Sequence, residues 1–323
     1  MGQIDLRDFD QSIACEKSCH FFGHFITFLY RMEPAATQSK NVDALIVGAG
    51  FAGLVMAERL ATQLDWKCEV IDRREHIGGN CYDCYDKHGV LVHTYGPHYF
   101  RTNSERIKEY LDNFTQWHPV EYKILSHTHG RYWNFPINLN TFEQLIGRPS
   151  TSEEMAETLE KWRVPIESPK NSEEVIISQV GRKLYEMFFK NYTRKQWKTD
   201  PRKLDASVCG RIPIRTNRDD RYLSEKFQAL PKEGYTALFK RMVDHPNITL
   251  RLGTDYRDVL NDYSYRRLVY TGMIDEFFGY KFGRLPYRSL KFKPEYHKKK
   301  FYHLWHHIQK RYLLCYPLTK TLD

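Results

Sequence analysis

The order of apolar and polar positions predicts a mixed α/β chain. Two short apolar runs, Ala44–Val47 and Val70–Ile71, are bounded by turn residues, which is typical of buried strands in a parallel sheet. Alternating patterns at Val120–His127 and Arg131–Asn134 predict antiparallel strands, joined by a turn with a His-Gly pair. The sequence therefore predicts an α/β unit that carries a separate antiparallel sheet.

Helical periodicity dominates the middle of the chain. Helices are predicted at Ser104–Phe114, Thr141–Ile146, Ser152–Arg163, Ser172–Asn191 and Tyr235–Val243, and further strands at His88–Tyr95, Ile248–Leu252 and Arg267–Tyr270. The three helices between residues 141 and 191 indicate a helical insertion. The last strand runs into Thr271-Gly272 and predicts a return of the chain to the first sheet.

A glycine pattern follows the first strand and indicates a site for a dinucleotide. Gly48 suits a tight turn, Gly50 a close approach of the main chain to a pyrophosphate, and Gly53 the packing of the next helix. An acid, Asp72, ends the second strand and suits a ribose hydroxyl, and Gly78-Gly79-Asn80 follows it. This longer pattern resembles the FAD-binding start of glutathione-reductase and amine-oxidase type flavoproteins more than an NAD site.

The basic pair Arg73-Arg74 adds a second element to that prediction. It stands where adenosine phosphates could be met, although a solvated basic pair is an equal interpretation. The predicted fold class is thus an FAD-binding Rossmann-like βαβ domain with an inserted helical domain and an antiparallel sheet.

Composition narrows the remaining classes of function. Of 323 residues 41% are hydrophobic and 15% aromatic, which is ample for a globular core. The net charge of +9 is confined to residues 279–323, with 11 Lys and Arg against 2 Asp and Glu, so it does not indicate nucleic-acid binding.

The cysteine count and the hydropathy indicate the cellular compartment in which the protein is expected. Seven cysteines without framework spacing suggest a reduced, cytoplasmic protein, and the Cys81–Cys84 pair lacks a second pair for zinc, so no metal site is expected. No apolar run reaches the ~20 residues of a membrane span. Residues 1–31 are expected to lie outside the fold.

A second cluster lies between residues 185 and 222, where aromatic residues alternate with arginines. It includes Tyr192, Thr193, Trp197, Arg211 and Tyr222. A base can stack on an indole while guanidinium groups bind a diphosphate, so the cluster suits a sugar nucleotide. Core packing for the aromatics and a structural ion pair for Arg211 are the alternatives.

Several motifs in order resemble the UDP-galactopyranose mutase family, from Asp43 to about Phe292. They are Gly48-Ala-Gly-Phe-Ala-Gly53, His76-Ile-Gly-Gly-Asn80, Tyr95-Gly-Pro-His98, Trp133-Asn-Phe-Pro-Ile-Asn-Leu-Asn-Thr-Phe142, Tyr192-Thr-Arg-Lys-Gln-Trp197, Arg211-Ile-Pro-Ile-Arg215, Pro231-Lys-Glu-Gly-Tyr-Thr236, Tyr270-Thr-Gly-Met-Ile-Asp-Glu-Phe-Phe278 and Leu285-Pro-Tyr-Arg-Ser-Leu290.

The resemblance implies a cytoplasmic isomerase that interconverts UDP-galactopyranose and UDP-galactofuranose for galactofuranose-containing glycans. In that family reduced FAD is the nucleophile, and its N5 forms an adduct with the sugar. UDP-galactose would be the partner molecule, without nucleic acid or a membrane span, and a homodimer is compatible with the resemblance.

The family's functional residues carry over by motif. His98 and Arg211 would be catalytic, with His98 on the flavin face near N5 and Arg211 bridging the diphosphate and the flavin region. The positions expected to hold FAD are Gly48, Gly50, Gly53, Asp72, Arg73, Gly79 and Asn80. The positions expected to hold the substrate are Trp197 on the uracil, and Tyr192, Thr193, Arg211 and Tyr222 at the diphosphate.

The chain departs from the family after about residue 292. A later Pro-Tyr-Thr-Arg segment, a Gly-Arg motif and a tyrosine pair have no match, so a truncation or a change of reading frame near residue 293 is expected. The predicted domains are an extension (1–42), the first part of the FAD domain (43–100), the insertion and substrate domain (101–232), a return to the FAD domain (233–292) and a basic tail (293–323). The alternatives are an inactive truncated family member and a flavin-dependent oxidase or desaturase.

Overall fold

The computed structural model describes residues 39–287 and Phe292, together with the main chain of three short strands at 28–30, 308–309 and 314–315. The described residues form two compact units. Unit 1 holds 39–98, 108–117 and 231–287, and unit 2 holds 99–107 and 118–230. The predicted extension and basic tail fall almost wholly outside the described residues, and the predicted domain boundaries stay predictions.

Strands and helices alternate in the mixed order that the sequence predicts. The strands are β1 (Phe28–Tyr30), β2 (Lys40–Val47), β3 (Cys68–Ile71), β4 (Asp83–Tyr85), β5 (Leu91–His93), β6 (Phe100–Thr102), β7 (Trp117–Pro119), β8 (Ile124–Thr128), β9 (Arg131–Phe135), β10 (Phe227–Pro231), β11 (Ile248–Arg251), β12 (Tyr263–Tyr270), β13 (Ile308–Gln309) and β14 (Leu314–Cys315). The helices are α1 (Phe51–Leu64), α2 (Glu105–Asp112), α3 (Leu139–Ile146), α4 (Ser152–Trp162), α5 (Ser172–Leu184), α6 (Asn191–Trp197), α7 (Ala206–Gly210), α8 (Tyr235–Met242), α9 (Tyr256–Val259) and α10 (Ile274–Phe277). The α/β fold class is confirmed.

Unit 1 is built on a Rossmann-like sheet with the strand order β1-β12-β2-β3-β11. β2, β3, β11 and β12 run parallel, and β1 pairs antiparallel with β12 at the edge. The expectation that residues 1–31 lie outside the fold is therefore wrong for residues 28–30, whose main chain joins this sheet. Leu45, Ile46, Val70 and Ile71 are fully buried, as expected for central parallel strands that are covered on both faces. The β2-α1-β3 order is the predicted βαβ start.

The strand predicted at His88–Tyr95 is shorter in the structure, where only Leu91–His93 pairs as β5 with β4. Asp86 explains the difference, because its Oδ1 accepts the main-chain N–H groups of His88 at 2.8 Å and Val90 at 2.9 Å. This local capture turns the chain before the ladder begins. A hairpin therefore replaces one long strand.

Unit 2 contains the predicted hairpin of β8 and β9, which pair antiparallel from Ile124 opposite Phe135 to Thr128 opposite Arg131. His129 and Gly130 form its turn with φ values of 50° and 74°, the left-handed pair that a two-residue hairpin requires. β6 pairs antiparallel with β10 in a separate sheet of this unit.

The helix predicted at Ser172–Asn191 is interrupted in the structure. Gly181 breaks α5 with φ 78° and ψ 174°, and a π-helix at Tyr185–Lys190 leads into α6. A Cβ on Gly181 would lie 2.1 Å from the Trp162 carbonyl oxygen, so only glycine fits at this approach. Beyond the break, Phe188 and Phe189 are buried in the core of unit 2.

Candidate functional site

The turn after β2 is shaped for glycine at two positions. Gly48 has φ 108°, and a Cβ there would lie 2.1 Å from the Thr271 Oγ1. A Cβ on Gly53 would lie 1.9 Å from the Gly48 carbonyl oxygen, so α1 packs directly against the turn. Both predicted glycine roles thus have a steric cause in unit 1.

The second glycine loop lies against the first. The Gly78 N–H donates to the Ala49 carbonyl at 2.7 Å, and a Cβ on Gly79 would come within 3.0 Å of the Gly50 Cα. α1 begins after Gly50 with no side-chain cap and no acidic residue in its first turn. Main chain, rather than side chains, therefore forms this surface, and the positive end of a helix dipole points at it. This is a fit for a dinucleotide pyrophosphate.

Asp72 follows β3 and ties the glycine turn in place. Its Oδ2 accepts the Ala49 N–H at 2.7 Å and its Oδ1 accepts the Arg74 N–H at 2.8 Å. Each carboxylate oxygen retains a second lone pair, so a ribose hydroxyl can still donate to Asp72. The sequence predicts the acid but not its bonds to the turn.

The polar residues beside Asp72 differ in their surroundings. Asn80 is exposed, and its Oδ1 accepts from the Arg74 Nη2 at 3.0 Å. The Arg74 guanidinium also lies 4.6 Å from the Tyr95 ring centroid. Arg73 is exposed, so its side chain can reach a phosphate, whereas Arg74 is already engaged within unit 1.

His98 is half-buried at the end of the loop after β5. Its Nδ1 lies 2.8 Å from the Gly96 carbonyl oxygen. Because a carbonyl can only accept, Nδ1 carries a proton, and in the tautomer that this bond selects Nε2 holds the lone pair. Among the described residues Nε2 has no hydrogen-bond partner.

Three of the predicted substrate residues come together in unit 2, in a group that we call the tyrosine–arginine cluster (Tyr192, Arg211, Tyr222 and Arg101). Burial raises the pKa of Tyr222, the nearby Tyr192 raises it further, and the Arg211 and Arg101 guanidinium groups oppose the rise. These couplings place the other three side chains within electrostatic range of Tyr222. Tyr192 and Tyr222 also pack on the hydrophobic core of unit 2.

Arg211 is exposed where α7 ends, and its guanidinium makes no hydrogen bond or ion pair with any described residue. By contrast, Arg101 pairs with Glu225 at 2.9 Å. An arginine that lacks an internal carboxylate beside two tyrosines is suited to an external anion. The alternative of a structural ion pair finds no support among the described residues.

Thr193 and Trp197 lie on α6 but in different surroundings. Thr193 is only 2% exposed, and its hydroxyl lies 3.4 Å from the Cys209 Sγ. Trp197 ends the helix, is partly exposed, and its indole has no ring contact within the described residues. Trp197 is therefore available to a ligand, while Thr193 faces the core.

The end of α6 is electropositive. Burial, and then repulsion from Lys198, lowers the pKa of Lys195. Arg194 is exposed nearby, and Asp200 is taken by Arg202, which holds the Asp200 pKa at about 2. A concentration of positive charge of this kind favours a bound diphosphate.

Three residues of unit 1 were missed by sequence reasoning, namely Asp83, His93 and Tyr235. Asp83 is 2% exposed and accepts the N–H groups of Tyr235 at 2.6 Å and Thr236 at 2.8 Å, at the start of α8. The available signal in the sequence was an acid three residues after the Gly78-Gly79-Asn80 motif, and its burial becomes visible in the structure.

Among the described residues no group of His, Cys, Asp and Glu side chains could hold a metal ion. No described helix is long and apolar enough to cross a membrane.

Fold and loop geometry define a Rossmann-like dinucleotide-binding protein, and comparison with known proteins agrees. A family model for an NAD(P)-binding Rossmann-like domain matches residues 46–114, and a model described as UDP-galactopyranose mutase matches residues 187–316. The second match extends past residue 292, where the motif-by-motif resemblance ends.

Two curated bacterial proteins are similar over most of this chain. The probable UDP-galactopyranose mutase of Klebsiella pneumoniae is 39% identical over 255 residues, which is 78% of this chain and 66% of that protein. The dTDP-fucopyranose mutase of Escherichia coli is 37% identical over 259 residues, 78% of this chain and 68% of that protein. The chain belongs to the UDP-galactopyranose mutase family and spans about two thirds of the length of these relatives.

A solved structure supports the fold. The crystal structure of a reduced UDP-galactopyranose mutase matches with a TM-score of 0.52 and 22% identity, covering 65% of this chain and 48% of that one. At this level of identity the likeness concerns the fold alone.

Proposed function

We propose that this protein is an FAD-dependent isomerase that interconverts UDP-galactopyranose and UDP-galactofuranose. The observation that carries the proposal is Arg211, an exposed guanidinium without a described carboxylate partner and within electrostatic range of Tyr222. An oxidase or desaturase of apolar substrates has no use for such an anion site. Family membership supplies the reaction class.

The glycine cradle of unit 1 is the proposed FAD site. Gly50 and Gly79 keep side chains off the surface proposed for the pyrophosphate, and Gly48 and Gly53 let the turn pack closely against Thr271 and α1. Asp72 retains lone pairs for a ribose hydroxyl. Arg73 and Asn80 are exposed at the same loop and would meet the phosphates. When bound in its reduced form, FAD supplies a nucleophilic nitrogen, N5, for the anomeric carbon. His98 would lie on the flavin face, with Nε2 as its free ring nitrogen.

Unit 2 is proposed to bind and orient the sugar nucleotide. Trp197 offers its partly exposed indole to the uracil, and Arg211 binds the diphosphate with support from the Tyr192 and Tyr222 hydroxyls. Neutralising the diphosphate favours its departure from the sugar, because negative charge grows on the leaving group. Thr193 is proposed to fix α6 through its contact with Cys209 and to shape the site from beneath.

A second candidate reaction is the interconversion of dTDP-fucopyranose and its furanose form, since one similar protein is named dTDP-fucopyranose mutase. Both candidate substrates are nucleoside diphosphates of a hexopyranose, so the same diphosphate site would serve either. The base and the sugar C6 group distinguish them. Both bases are pyrimidines, so stacking on the partly exposed Trp197 suits either.

The test is a conversion assay on the purified chain supplied with FAD and dithionite. UDP-galactopyranose and dTDP-fucopyranose are incubated separately, and furanose products are separated by anion-exchange chromatography. We expect conversion of UDP-galactopyranose under reducing conditions only. Preferred conversion of dTDP-fucopyranose would replace the substrate, and bound flavin with no conversion of either would favour an inactive member or an oxidase.

Arg211→Ala is the matched structural test. Loss of one charge-assisted contact costs about 1.5–3 kcal/mol, or about 10- to 150-fold in affinity for the UDP-sugar. Arg163→Ala is the control, because Arg163 pairs with Glu160 on the surface of the same unit. Equal effects of both substitutions would contradict the diphosphate role. A homodimer and a cytoplasmic location stay predictions from the sequence.

A further inference from the structure

The main chain of His98 is held on both sides within unit 1. Its N–H donates to the Nδ1 of His93 at 3.1 Å, and its carbonyl accepts from the Tyr235 hydroxyl at 3.0 Å. Gly96 has φ 87° in the turn between the two histidines, so the chain folds back on itself. The position of the His98 main chain is therefore fixed by the side chains of His93 and Tyr235.

The hydrogen bonds fix the tautomers of both rings. Because a main-chain N–H can only donate, the His93 Nδ1 must accept, and the proton of the neutral His93 ring sits on Nε2. For His98 the assignment is the reverse, since its Nδ1 donates to the Gly96 carbonyl. The two histidines thus hold opposite tautomers.

Asp83 lies on the protonated side of His93. Its Oδ2 is 4.0 Å from the His93 Nε2, beyond hydrogen-bond length but close enough to favour a proton there. Burial lowers the pKa of His93, against the opposing effect of Asp83 and with the help of His98, so the ring is neutral near pH 7. A neutral ring is required for Nδ1 to accept.

Asp83 is itself immobilised by α8. Both of its carboxylate oxygens accept N–H groups from the first residues of that helix, and a Cβ on Gly234 would lie 2.6 Å from the Asp83 Oδ2. The Tyr235 ring also packs edge-on to His93, with centroids 5.8 Å apart. A buried acid, a helix N-terminus and an aromatic ring therefore surround the first histidine.

We propose that His93 is a positioning residue for His98: in its Nε2-protonated form it accepts the His98 main-chain N–H, and so holds His98 where its ring Nδ1 donates to the Gly96 carbonyl and its Nε2 stays unprotonated. Asp83 favours that form of His93. The consequence for catalysis rests on the proposed function, in which His98 faces the flavin and presents Nε2 as the free nitrogen. The tautomers themselves do not depend on it.

The test reads the tautomers directly, by two-bond ¹H–¹⁵N correlation spectra of the protein labelled with ¹⁵N-histidine. Signals of His93 and His98 are assigned by their loss in single variants. We expect the Nε2-protonated form for His93 and the Nδ1-protonated form for His98. In His93→Leu the His98 signals should move towards a mixture of both forms.

His93→Asn provides the rescue, because the amide oxygen of Asn can stand near the position of Nδ1 and accept the same N–H. It should restore the His98 pattern, whereas His88→Leu, at an exposed histidine of the same hairpin, should leave it unchanged. Amide exchange of α8 reports whether each variant stays folded. An Nδ1-protonated His93, or a His98 tautomer unchanged in a folded His93→Leu, would overturn the inference.

A second readout separates this inference from the proposed function. With FAD bound, the reduction potential of the flavin should shift in His93→Leu and return in His93→Asn. A wild-type protein that binds no FAD would contradict the proposed function, while the histidine spectra would still decide the role of His93. An unshifted potential together with a disturbed His98 tautomer would contradict the placing of His98 at the flavin.

Discussion

Removing the Asp83 carboxylate should destabilise unit 1 more than any surface change. Asp83 sits on β4, and its side chain, 1% exposed, accepts two N–H groups of α8 at 2.6 and 2.8 Å. It acts as the N-terminal cap of a helix from a strand about 150 residues earlier in the chain. Two substitutions, Asp83→Ala and Asp83→Asn, separate the bonds from the charge.

The expected size follows from the two bonds. A hydrogen bond to a charged group contributes about 1.5–3 kcal/mol. Because Asp83→Ala removes two such bonds, we expect it to lower the free energy of unfolding by about 3–6 kcal/mol. Asp83→Asn keeps one acceptor oxygen but faces the other N–H with an amide, so about 1–3 kcal/mol is expected.

The assay is urea unfolding followed by circular dichroism, together with hydrogen exchange of the Tyr235 and Thr236 amides. Asp244→Asn is the control, because Asp244 is exposed after the same helix and makes no side-chain bond with a described residue. Surface changes of this kind stay within about 0.5 kcal/mol. If Asp83→Asn matches that control and both amides stay protected, the cap has no such role.

Three further substitutions test other parts of the account. Gly53→Ala places a Cβ 1.9 Å from a carbonyl oxygen and should weaken FAD binding more than about tenfold, a cost above about 1.4 kcal/mol. Gly89→Ala is the control for backbone strain away from the cradle, because Gly89 has φ 74° but an added Cβ meets nothing within 4 Å; equal affinities of the two variants in a flavin titration would refute the cradle. Trp197→Ala should raise KM for the UDP-sugar about 5- to 150-fold if a base stack worth about 1–3 kcal/mol is lost, and an unchanged KM would place the uracil elsewhere. Arg221 holds the pKa of Asp219 at about 2 against burial, so Asp219 stabilises the fold above about pH 4 and loses this effect as the pH falls towards 2. Asp219, 25% exposed, should contribute about 1–2 kcal/mol, and Asp219→Asn should flatten the acid limb of a stability–pH curve; a curve that keeps its slope would contradict the pairing.

The βαβ start could be predicted because its determinants are local. The buried strand, the glycines at 48, 50 and 53 and the acid at 72 all follow one another in sequence, and the structure places them as the spacing indicates. The hairpin of β8 and β9 was predictable for the same reason, since His129-Gly130 is its turn. Local chemistry decides both elements.

Other features depend on residues far apart in the chain. The break of α5 at Gly181 arises from the approach of the Trp162 carbonyl, which no helical period can reveal. The position of the His98 main chain depends on the hydroxyl of Tyr235, which is 137 residues away in the sequence. Asp83 reaches its partners across a similar separation. Such contacts are fixed by tertiary packing and carry no short-range pattern.

The arginine and aromatic motifs predicted a binding region, but they did not predict which side chains of the region face the core and which face the solvent. The Tyr192-Thr-Arg-Lys-Gln-Trp197 segment forms α6, and the helix turns Thr193 towards Cys209 while leaving Trp197 partly exposed. The motif letters do not distinguish these two orientations. The burial of each side chain in the structure distinguishes them, and it favours a ligand contact at Trp197 over one at the Thr193 hydroxyl.

The central claim is that this chain binds FAD in the glycine cradle of unit 1. The most direct measurement is the visible absorption spectrum of the purified, desalted protein before and after incubation with FAD. The account predicts a flavin spectrum at one equivalent per chain, retained on desalting in the wild type and lost in Gly53→Ala. A wild-type protein with no flavin, and none retained after FAD is added, would contradict the claim.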